Sequence, residues 1–219
     1  MLLVFDVNET LLDLAALDEP FLELTGTPAA RREWFDLLIH TALTLTAADS
    51  YQDFARLAGE CITAVAQAHG RAASDEQRHQ IISVLRSLPA HPDVPGGLDR
   101  LREAGHRLVA LTNSPLSTVR AQLEHAQLTD RFEQIFSADQ AHALKPAPAA
   151  YRLVVDQLGI NPADAVMVAA HDWDIAGAHA VGLRTAFLAR PGHHPLPGAP
   201  APTWTVTDLN ALATALLKT

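Results

Sequence analysis

The sequence predicts an α/β fold, a doubly wound parallel sheet with an all-helical insertion after the first strand. Short apolar runs alternate with helix-length segments over most of the chain, which is typical of a parallel sheet covered by helices on both faces. One long stretch near the N-terminus instead has only helical periodicity. With 219 residues, of which 48% are hydrophobic, the chain can also bury a full core.

The predicted strands are continuous apolar runs, because a strand between two helical layers is buried on both faces. They lie at residues 2–5, 107–112, 134–138, 165–170 and 183–189, with a shorter sixth run at 203–206. Predicted helices at 147–159 and 173–182 each end at a glycine placed as a C-cap. Asp208 lies near the start of a last predicted helix.

The stretch from about residue 13 to 90 is predicted to be helical, since apolar side chains such as Trp34 and Leu38 recur at three- and four-residue steps. We expect residues 13–92 to form a helical cap, and residues 1–12 with 93–219 to form the core. The Pro-rich segment 89–97 is predicted to be the turn through which the chain returns. In open α/β sheets the ligand crevice lies beyond the carboxyl ends of the strands, so the cap would cover it.

Composition excludes several classes of partner and location. The 25 acidic and 16 basic residues give a net charge of −9, which offers no general attraction for nucleic acid or for anionic membrane surfaces. A single cysteine, Cys61, rules out an intramolecular disulfide and favours the cytoplasm. The opening MLLVFD lacks the basic region of a signal peptide, and no apolar run reaches the roughly 18 residues of a membrane helix. We therefore expect a soluble protein.

Polar side chains follow several predicted strands where each strand ends. Asp6 follows the first strand, Thr112 and Asn113 end the second, and Asp174 comes just after the fourth, while Lys145 lies in a loop before a helix. Singly, such residues are typical of helix caps and turns. Because parallel strands end at one edge of the sheet, we expect these five to converge on one crevice.

Four motifs give the chain a resemblance to the haloacid dehalogenase superfamily over nearly its whole length. They are FDVNETLLD at 5–13, LTNS at 111–114, LKPAPAAY at 144–151 and VMVAAHDWDIAGAHAVGL at 166–183. The resemblance implies a Rossmann-like core, a cap inserted after the first motif, and an aspartate nucleophile at Asp6.

Two chemistries occur in that superfamily. Phosphoryl transfer uses a second carboxylate two residues after the nucleophile as the acid, together with magnesium. This chain has Asn8 there, and Ala170 stands where a metal-binding carboxylate is expected, although Asp172 lies two residues away. Cleavage of a carbon–halogen bond needs neither group, because halide departs without a proton. The sequence therefore favours a dehalogenase, with a metabolite phosphatase or a non-catalytic binding protein as alternatives.

The chain resembles the type II 2-haloacid dehalogenases in particular, which implies conversion of a small 2-haloalkanoic acid to the 2-hydroxy acid and halide through an aspartyl ester. In the implied mechanism Lys145 keeps the nucleophile ionised, and Asp174 retains Lys145 and orients the hydrolytic water. The implied catalytic set is Asp6, Thr10, Thr112, Lys145 and Asp174. The implied substrate- or halide-binding set is Asn8, Phe35, Asn113, Tyr151, His171 and Trp173.

The chain also departs from that family. Phe35 follows Trp34 where relatives place an arginine, and we expect Arg31 and Arg32, one turn earlier, to be a solvated pair. His171 replaces an asparagine. It could donate to halide, act as a general base or serve a structural role, and the first two need opposite charge states.

No cofactor or metal is predicted. The 11 histidines show no zinc-type spacing, and His193-His194 has no third ligand nearby in sequence. The expected partner is a small haloacid, and the resemblance also implies a homodimer formed through the cap.

Overall fold

The computed structural model describes residues 1–217, which contain a parallel sheet of six strands in the order β3-β2-β1-β4-β5-β6. Every predicted strand is present, and the α/β fold is confirmed. The central strand β1 pairs with β2 on one side and with β4 on the other, so that Phe5 lies beside both Ala110 and Val168. The strands are β1 Leu2–Phe5, β2 Arg107–Thr112, β3 Gln134–Ser137, β4 Ala165–Ala169, β5 Arg184–Leu188 and β6 Trp204–Val206.

Helices cover both faces of this sheet. Alternate β1 side chains enter different cores: Leu3 and Phe5 pack on one face, and Leu2 and Val4 on the other. The helices are α1 Asp18–Thr25, α2 Ala30–Ala47, α3 Phe54–Ala68, α4 Asp75–Leu85, α5 Val94–Glu103, α6 Leu116–His125, α7 Pro148–Leu158, α8 Asp172–Ala180 and α9 Leu209–Leu216. No helix in residues 1–217 has both the length and the apolar character needed to cross a membrane.

Two of the predicted helix boundaries agree with the caps in the structure, and the predicted cap at Gly182 is off by one residue. Gly159 ends α7 in the left-handed conformation at φ 63°, which a glycine adopts without strain. Gly182, at φ 89°, lies two residues beyond the end of α8 at Ala180, and the C-cap of this helix is Val181. The Asp208 side chain accepts a hydrogen bond from the Ala211 N–H and so caps α9.

The stretch between β1 and α5 is helical, as predicted. A short 3-10 helix at Leu14–Leu17 precedes α1 to α4, and these helices pack on one another. Trp34 on α2 is buried, and its indole N–H donates to the Ala58 carbonyl of α3 at 3.0 Å. This pair fixes the two helices whose side chains approach the end of β1.

The prediction of a turn over 89–97 is wrong in its second half, because α5 begins at Val94. Pro95 lies in the first turn of the helix, where its missing N–H would have no helical partner. Gly97 lies within α5, and a glycine is needed there because α9 packs closely: a methyl group at this position would lie 2.3 Å from Leu209 Cβ. Proline and glycine therefore mark a helix start and a close helix contact here.

Candidate active site

Asp6 lies at the carboxyl end of β1, in the middle of the sheet, and is almost fully buried. Its carboxylate accepts three hydrogen bonds: from Lys145 Nζ to Oδ1 at 2.8 Å, and to Oδ2 from Thr10 Oγ1 at 2.6 Å and His171 Nδ1 at 3.0 Å. Burial alone would raise the pKa of Asp6, but Lys145 and His171 together hold it well below its ordinary value. The carboxylate is therefore ionised, as a nucleophile must be.

Lys145 is completely enclosed and uses all three ammonium hydrogens. Besides Asp6, its Nζ donates to Asp174 Oδ2 at 2.6 Å and to the Leu111 carbonyl at 3.0 Å. Burial lowers the pKa of Lys145, but the two carboxylates outweigh it and raise the pKa above its usual value. Asn113 holds the lysine backbone, because its Oδ1 accepts from the Lys145 N–H at 2.7 Å. The amide predicted to bind halide thus also positions the ammonium group.

Asp174 lies in the first turn of α8, and its Oδ2 accepts a hydrogen bond from Lys145 Nζ at 2.6 Å. Its second oxygen, Oδ1, accepts from the Tyr151 hydroxyl at 2.7 Å. Burial raises the pKa of Asp174 despite the opposing effect of Lys145, and burial also raises the pKa of Tyr151, which therefore remains a donor. Gly177 makes this contact possible, since a methyl group there would lie 2.6 Å from the Tyr151 hydroxyl oxygen.

His171, directly after β4, lies between two carboxylates. Its Nδ1 contacts Asp6 Oδ2 at 3.0 Å and its Nε2 contacts Glu9 Oε2 at 3.2 Å. Burial would lower the pKa of His171, but hydrogen bonds to the two carboxylates raise it to about 9. The ring stacks between Phe35, at a centroid distance of 5.5 Å, and Trp173, at 4.9 Å. His171 is thus a fixed imidazolium next to the nucleophile.

Glu9 is the residue of this cluster that sequence reasoning missed. It has φ 57°, a left-handed conformation uncommon for a residue with a side chain, and it is 8% exposed. Arg31 Nη1 donates to its Oε1 at 3.4 Å, and the pKa of Glu9 is lowered because His171 outweighs the effect of burial. The available signal was an acidic side chain three residues after the predicted nucleophile, inside the same tight turn.

Of the two arginines that precede Trp34 by one turn, one differs from its predicted surroundings. Arg31 is not solvated: it is largely buried and pairs with Asp18 at 2.7 Å as well as with Glu9. Arg32 is exposed and pairs with Asp36, as the prediction of a surface pair implies. Arg31 therefore approaches the site only by way of Glu9.

Buried Arg190, also missed, fixes the loop that carries Thr10. Its Nε and Nη2 donate to the Thr10 carbonyl at 3.1 and 3.0 Å, and its Nη1 pairs with Asp93 at 2.6 Å. Thr10 Oγ1 in turn accepts from the Ala170 N–H at 2.9 Å while donating to Asp6. The arginine thus holds in place the hydroxyl group that orients the carboxylate.

Thr112 and Asn8 line the same pocket as Asp6, and within residues 1–217 their hydrogen bonds go to other groups. Thr112 Oγ1 accepts from the Ser114 N–H at 3.1 Å. Asn8 Nδ2 donates to Ser114 Oγ at 3.2 Å, and its Oδ1 accepts from Gln122 Nε2 at 3.0 Å. The Asn8 amide is therefore engaged within the protein.

A small cavity lies over Asp6 and is lined by Thr112, Asn113 and Lys145 from the core. Phe35, Ile39 and Phe54 from α2 and α3 supply apolar walls, and the rest of the lining comes from Asn8, His171 and Trp173. The cavity therefore combines an ionised carboxylate and two cations with an apolar roof. This lining is chemically complementary to a small ligand that has an apolar part and an anionic part.

One set of three groups within residues 1–217 could hold a metal ion, with ligand atoms from Glu9, His171 and His193 all within 4.8 Å of one another. The sequence offered no third ligand for His193, because the partners come from distant segments. His193 Nε2 lies 3.4 Å from Glu9 Oε2. A metal would have to displace the proton on His171 Nε2, so we interpret these contacts as hydrogen bonds. Asp172 accepts from the Trp173 N–H at 2.7 Å and is not part of the cavity lining.

Comparison with known proteins agrees with this geometry. Residues 1–182 match the family model of haloacid dehalogenase-like hydrolases. (S)-2-haloacid dehalogenase 4A of Burkholderia cepacia is 28% identical, over 88% of this chain and 84% of the relative. Phosphoglycolate phosphatase of Aliivibrio fischeri is 30% identical, over 88% and 86%. A dehalogenase crystal structure superposes with a TM-score of 0.91 at 28% identity, covering 99% of this chain and 97% of the other. The chain therefore belongs to the haloacid dehalogenase-like hydrolases.

Proposed function

We propose that this hydrolase cleaves the carbon–halogen bond of a small 2-haloalkanoic acid and releases the 2-hydroxy acid and halide. The arrangement of Asp6 carries the proposal: an ionised carboxylate held by Lys145 at 2.8 Å, at the base of a small cavity, with an amide at Asn8. Halide is a leaving group that needs no proton, so the absence of a carboxylic acid at position 8 costs this reaction nothing. The (S)-2-haloacid dehalogenase relative acts on the same class of compound.

In the proposed reaction Asp6 attacks the carbon that bears the halogen, and the bonding electron pair leaves with the halide. An ester then joins Asp6 to the organic acid, and water attacks Cγ of this ester to release the hydroxy acid. Lys145 and Thr10 fix the carboxylate before attack, and Asp174 holds Lys145. Thr112 and Asn113, at the end of β2, line the cavity where the carboxylate and halide of the substrate would bind.

Phosphatase activity is the second candidate, because a phosphoglycolate phosphatase is 30% identical over most of the chain. The side chains fit it less well. The Asn8 amide has no proton of suitable acidity for a leaving alkoxide and is already bonded to Ser114 and Gln122. Ala170 offers no ligand to a magnesium ion, and Asp172 bonds to the backbone next to it.

Halide release distinguishes these functions. The protein is incubated with chloroacetate, fluoroacetate and 2-chloropropionate in EDTA, and free halide is measured. We expect release from at least one acid, its loss in Asp6→Asn, and its retention in Asp156→Asn, where the same change is made on the exposed face of α7. Magnesium-dependent release of phosphate from p-nitrophenyl phosphate without halide release would favour the phosphatase. Haloacid binding without any turnover would favour a binding protein.

We also propose that residues 13–92 act as a cap on a core made of residues 1–12 and 93–219, of which 218 and 219 lie outside the described residues. The mutual packing of α1 to α4 and the cavity walls from Phe35, Ile39 and Phe54 support this division. A cytoplasmic location and a homodimer formed through the cap remain predictions. Analytical ultracentrifugation of the purified chain would test the dimer.

A further inference from the structure

Gln122 is a buried polar residue to which the proposed reaction gives no role. It lies on α6, is fully enclosed, and donates two hydrogen bonds from Nε2, to the Leu85 carbonyl at 2.8 Å and to Asn8 Oδ1 at 3.0 Å. Its Oε1 is buried and has no partner within residues 1–217. A buried oxygen without a partner lowers stability, so an apolar side chain would serve a purely structural role better. The value of this residue therefore lies in the two hydrogen bonds that it donates.

A backbone carbonyl fixes the orientation of the Gln122 side chain. Leu85 is the last residue of α4, so its carbonyl oxygen has no partner inside the helix. Because a carbonyl oxygen only accepts hydrogen bonds, the part of the Gln122 amide that faces it must be the NH₂ group. The same nitrogen also faces Asn8, where it needs a second acceptor.

The Asn8 amide is oriented by this contact in turn. Since Gln122 donates to Asn8, the atom on that side is Oδ1, and Nδ2 lies on the other side. Nδ2 donates one of its two hydrogens to Ser114 Oγ at 3.2 Å. The second hydrogen has no acceptor in the part of the chain that the structure describes, and Asn8 lines the cavity over Asp6.

We infer that Gln122 is a positioning residue that directs the second N–H of Asn8 into this cavity, where it donates to an anionic group of the substrate. That group is either the carboxylate or the departing halide. The inference rests on the proposed dehalogenase function and adds to it a donor, the Asn8 amide, and the residue that orients this donor.

A neutral donor is needed in the cavity because its lysine has no hydrogen to spare. Lys145 donates to Asp6, to Asp174 and to the Leu111 carbonyl, which uses all three ammonium hydrogens. Its charge attracts an anion, but a hydrogen bond from Lys145 to that anion would replace an existing one. An amide N–H without a partner donates at no such loss, and hydrogen bonds to charged groups are the stronger kind.

Gln122 also connects Asn8 to the segment that we assign to the cap. Leu85 ends α4 in that segment, whereas Gln122 and Asn8 lie in α6 and in the loop after β1. One NH₂ group therefore contacts both parts of the chain, and a displacement of α4 would remove the acceptor that orients it. The direction of the Asn8 donor thus depends on the position of α4.

Gln122→Glu tests the orientation, because it reverses the Asn8 amide with almost no change in shape. Burial keeps the new carboxyl group protonated, so its hydroxyl donates to the Leu85 carbonyl and its other oxygen accepts from Asn8 Nδ2. Asn8 Oδ1 then faces the cavity. Asn8→Asp removes the N–H directly. Gln67→Glu, the same change on the exposed face of α3, is the matched control.

Rapid-quench measurements of the first halide released from chloroacetate, bromoacetate and fluoroacetate distinguish the two anionic groups. If the donor contacts the carboxylate, both site variants should need roughly 10- to 100-fold more acid for half-saturation, and inhibition by acetate should weaken equally, at an unchanged maximal rate. If the donor contacts the halide, the maximal rate should fall by a similar factor. The fall should be largest for fluoroacetate, because fluoride accepts the strongest hydrogen bond.

The control variant should behave like the unaltered protein, and thermal unfolding shows whether each variant is folded. Folded Gln122→Glu and Asn8→Asp proteins with unaltered half-saturation and maximal rate would overturn the inference. A loss of stability in Gln122→Glu with unaltered kinetics would show that the residue is only structural.

Nuclear magnetic resonance provides a test that needs neither turnover nor a variant at position 122. In the unaltered ¹⁵N-labelled protein, the side-chain NH₂ signal of Asn8 should shift on addition of acetate or chloride, and the Gln122 signal should shift less. An Asn8 signal that neither anion moves would overturn the inference. If the unaltered protein releases no halide from any of the three acids, the proposed function itself fails, and the titration still tests the donor.

Discussion

Replacing Lys145 by methionine tests the electrostatic arrangement of the site. The ammonium group is the shared partner of Asp6 and Asp174, and its three hydrogens are used at 2.6, 2.8 and 3.0 Å in a fully buried position. Methionine has a similar length but no charge, so two buried carboxylates would lose their cation. Breaking a buried pair in this way costs about 3–5 kcal/mol, which raises the unfolding equilibrium constant by roughly two to four orders of magnitude.

Urea denaturation at pH 7 and near pH 4 measures this loss. Because the pKa of Asp6 is lowered in the folded protein, its stabilising contribution is present above the pKa of the unfolded chain and is lost at lower pH. In Lys145→Met the carboxylates bind protons more readily, so the difference in unfolding free energy should shrink as the pH falls. Arg152→Met, which removes an exposed cation from α7, should change stability by less than about 0.5 kcal/mol. An equal loss at both pH values, or a loss below about 1 kcal/mol, would refute the argument.

Three further predictions concern pH, packing and metal. Because the pKa of His171 is raised from 6.5 to about 9, its stabilising contribution should be complete below pH 6.5 and lost as the pH rises through 9. Urea midpoints between pH 6 and 10 should show this loss, and His171→Asn should lack it. Gly177→Ala should destabilise by about 1–3 kcal/mol and slow halide release, since its methyl group would lie 2.6 Å from the Tyr151 hydroxyl oxygen. Gly59→Ala, in open space on α3, should not destabilise in thermal unfolding. Dialysis against EDTA should leave the rate of halide release from chloroacetate unchanged, and a rate restored only by added magnesium would contradict the mechanism.

The sheet and the residues at its strand ends can be predicted from the sequence, because local patterns of apolar and polar residues indicate both. Buried parallel strands are apolar on both faces, and residues that follow such strands meet at one edge of the sheet. These patterns predict that Asp6, Lys145 and Asp174 lie close together, and in the structure Lys145 contacts both carboxylates. The start of α5 at Val94 was missed, because proline and glycine indicate a turn unless the tertiary contact with Leu209 is known.

Contacts between residues that are far apart in the sequence could not be predicted from local patterns. Glu9 carries no local signature, and its importance arises from a left-handed backbone that directs it to His171, 162 positions away. Arg190 and His193 come from a segment after β5 whose composition indicates only a loop. Arg31 was expected in solvent, because nothing near it in the sequence indicates the buried carboxylate of Glu9. The residues that determine the charge of His171 are therefore brought together only in the folded protein.

Isotope transfer in a single turnover tests the central claim most directly. Excess enzyme reacts with chloroacetate in H₂¹⁸O, and both the product and the peptide that contains Asp6 are analysed by mass spectrometry. If Asp6 attacks carbon and water attacks Cγ of the resulting ester, the product of the first turnover carries ordinary oxygen and the Asp6 carboxylate carries ¹⁸O. A labelled product together with an unlabelled Asp6 peptide would show that water attacks the substrate carbon directly, and would contradict the account.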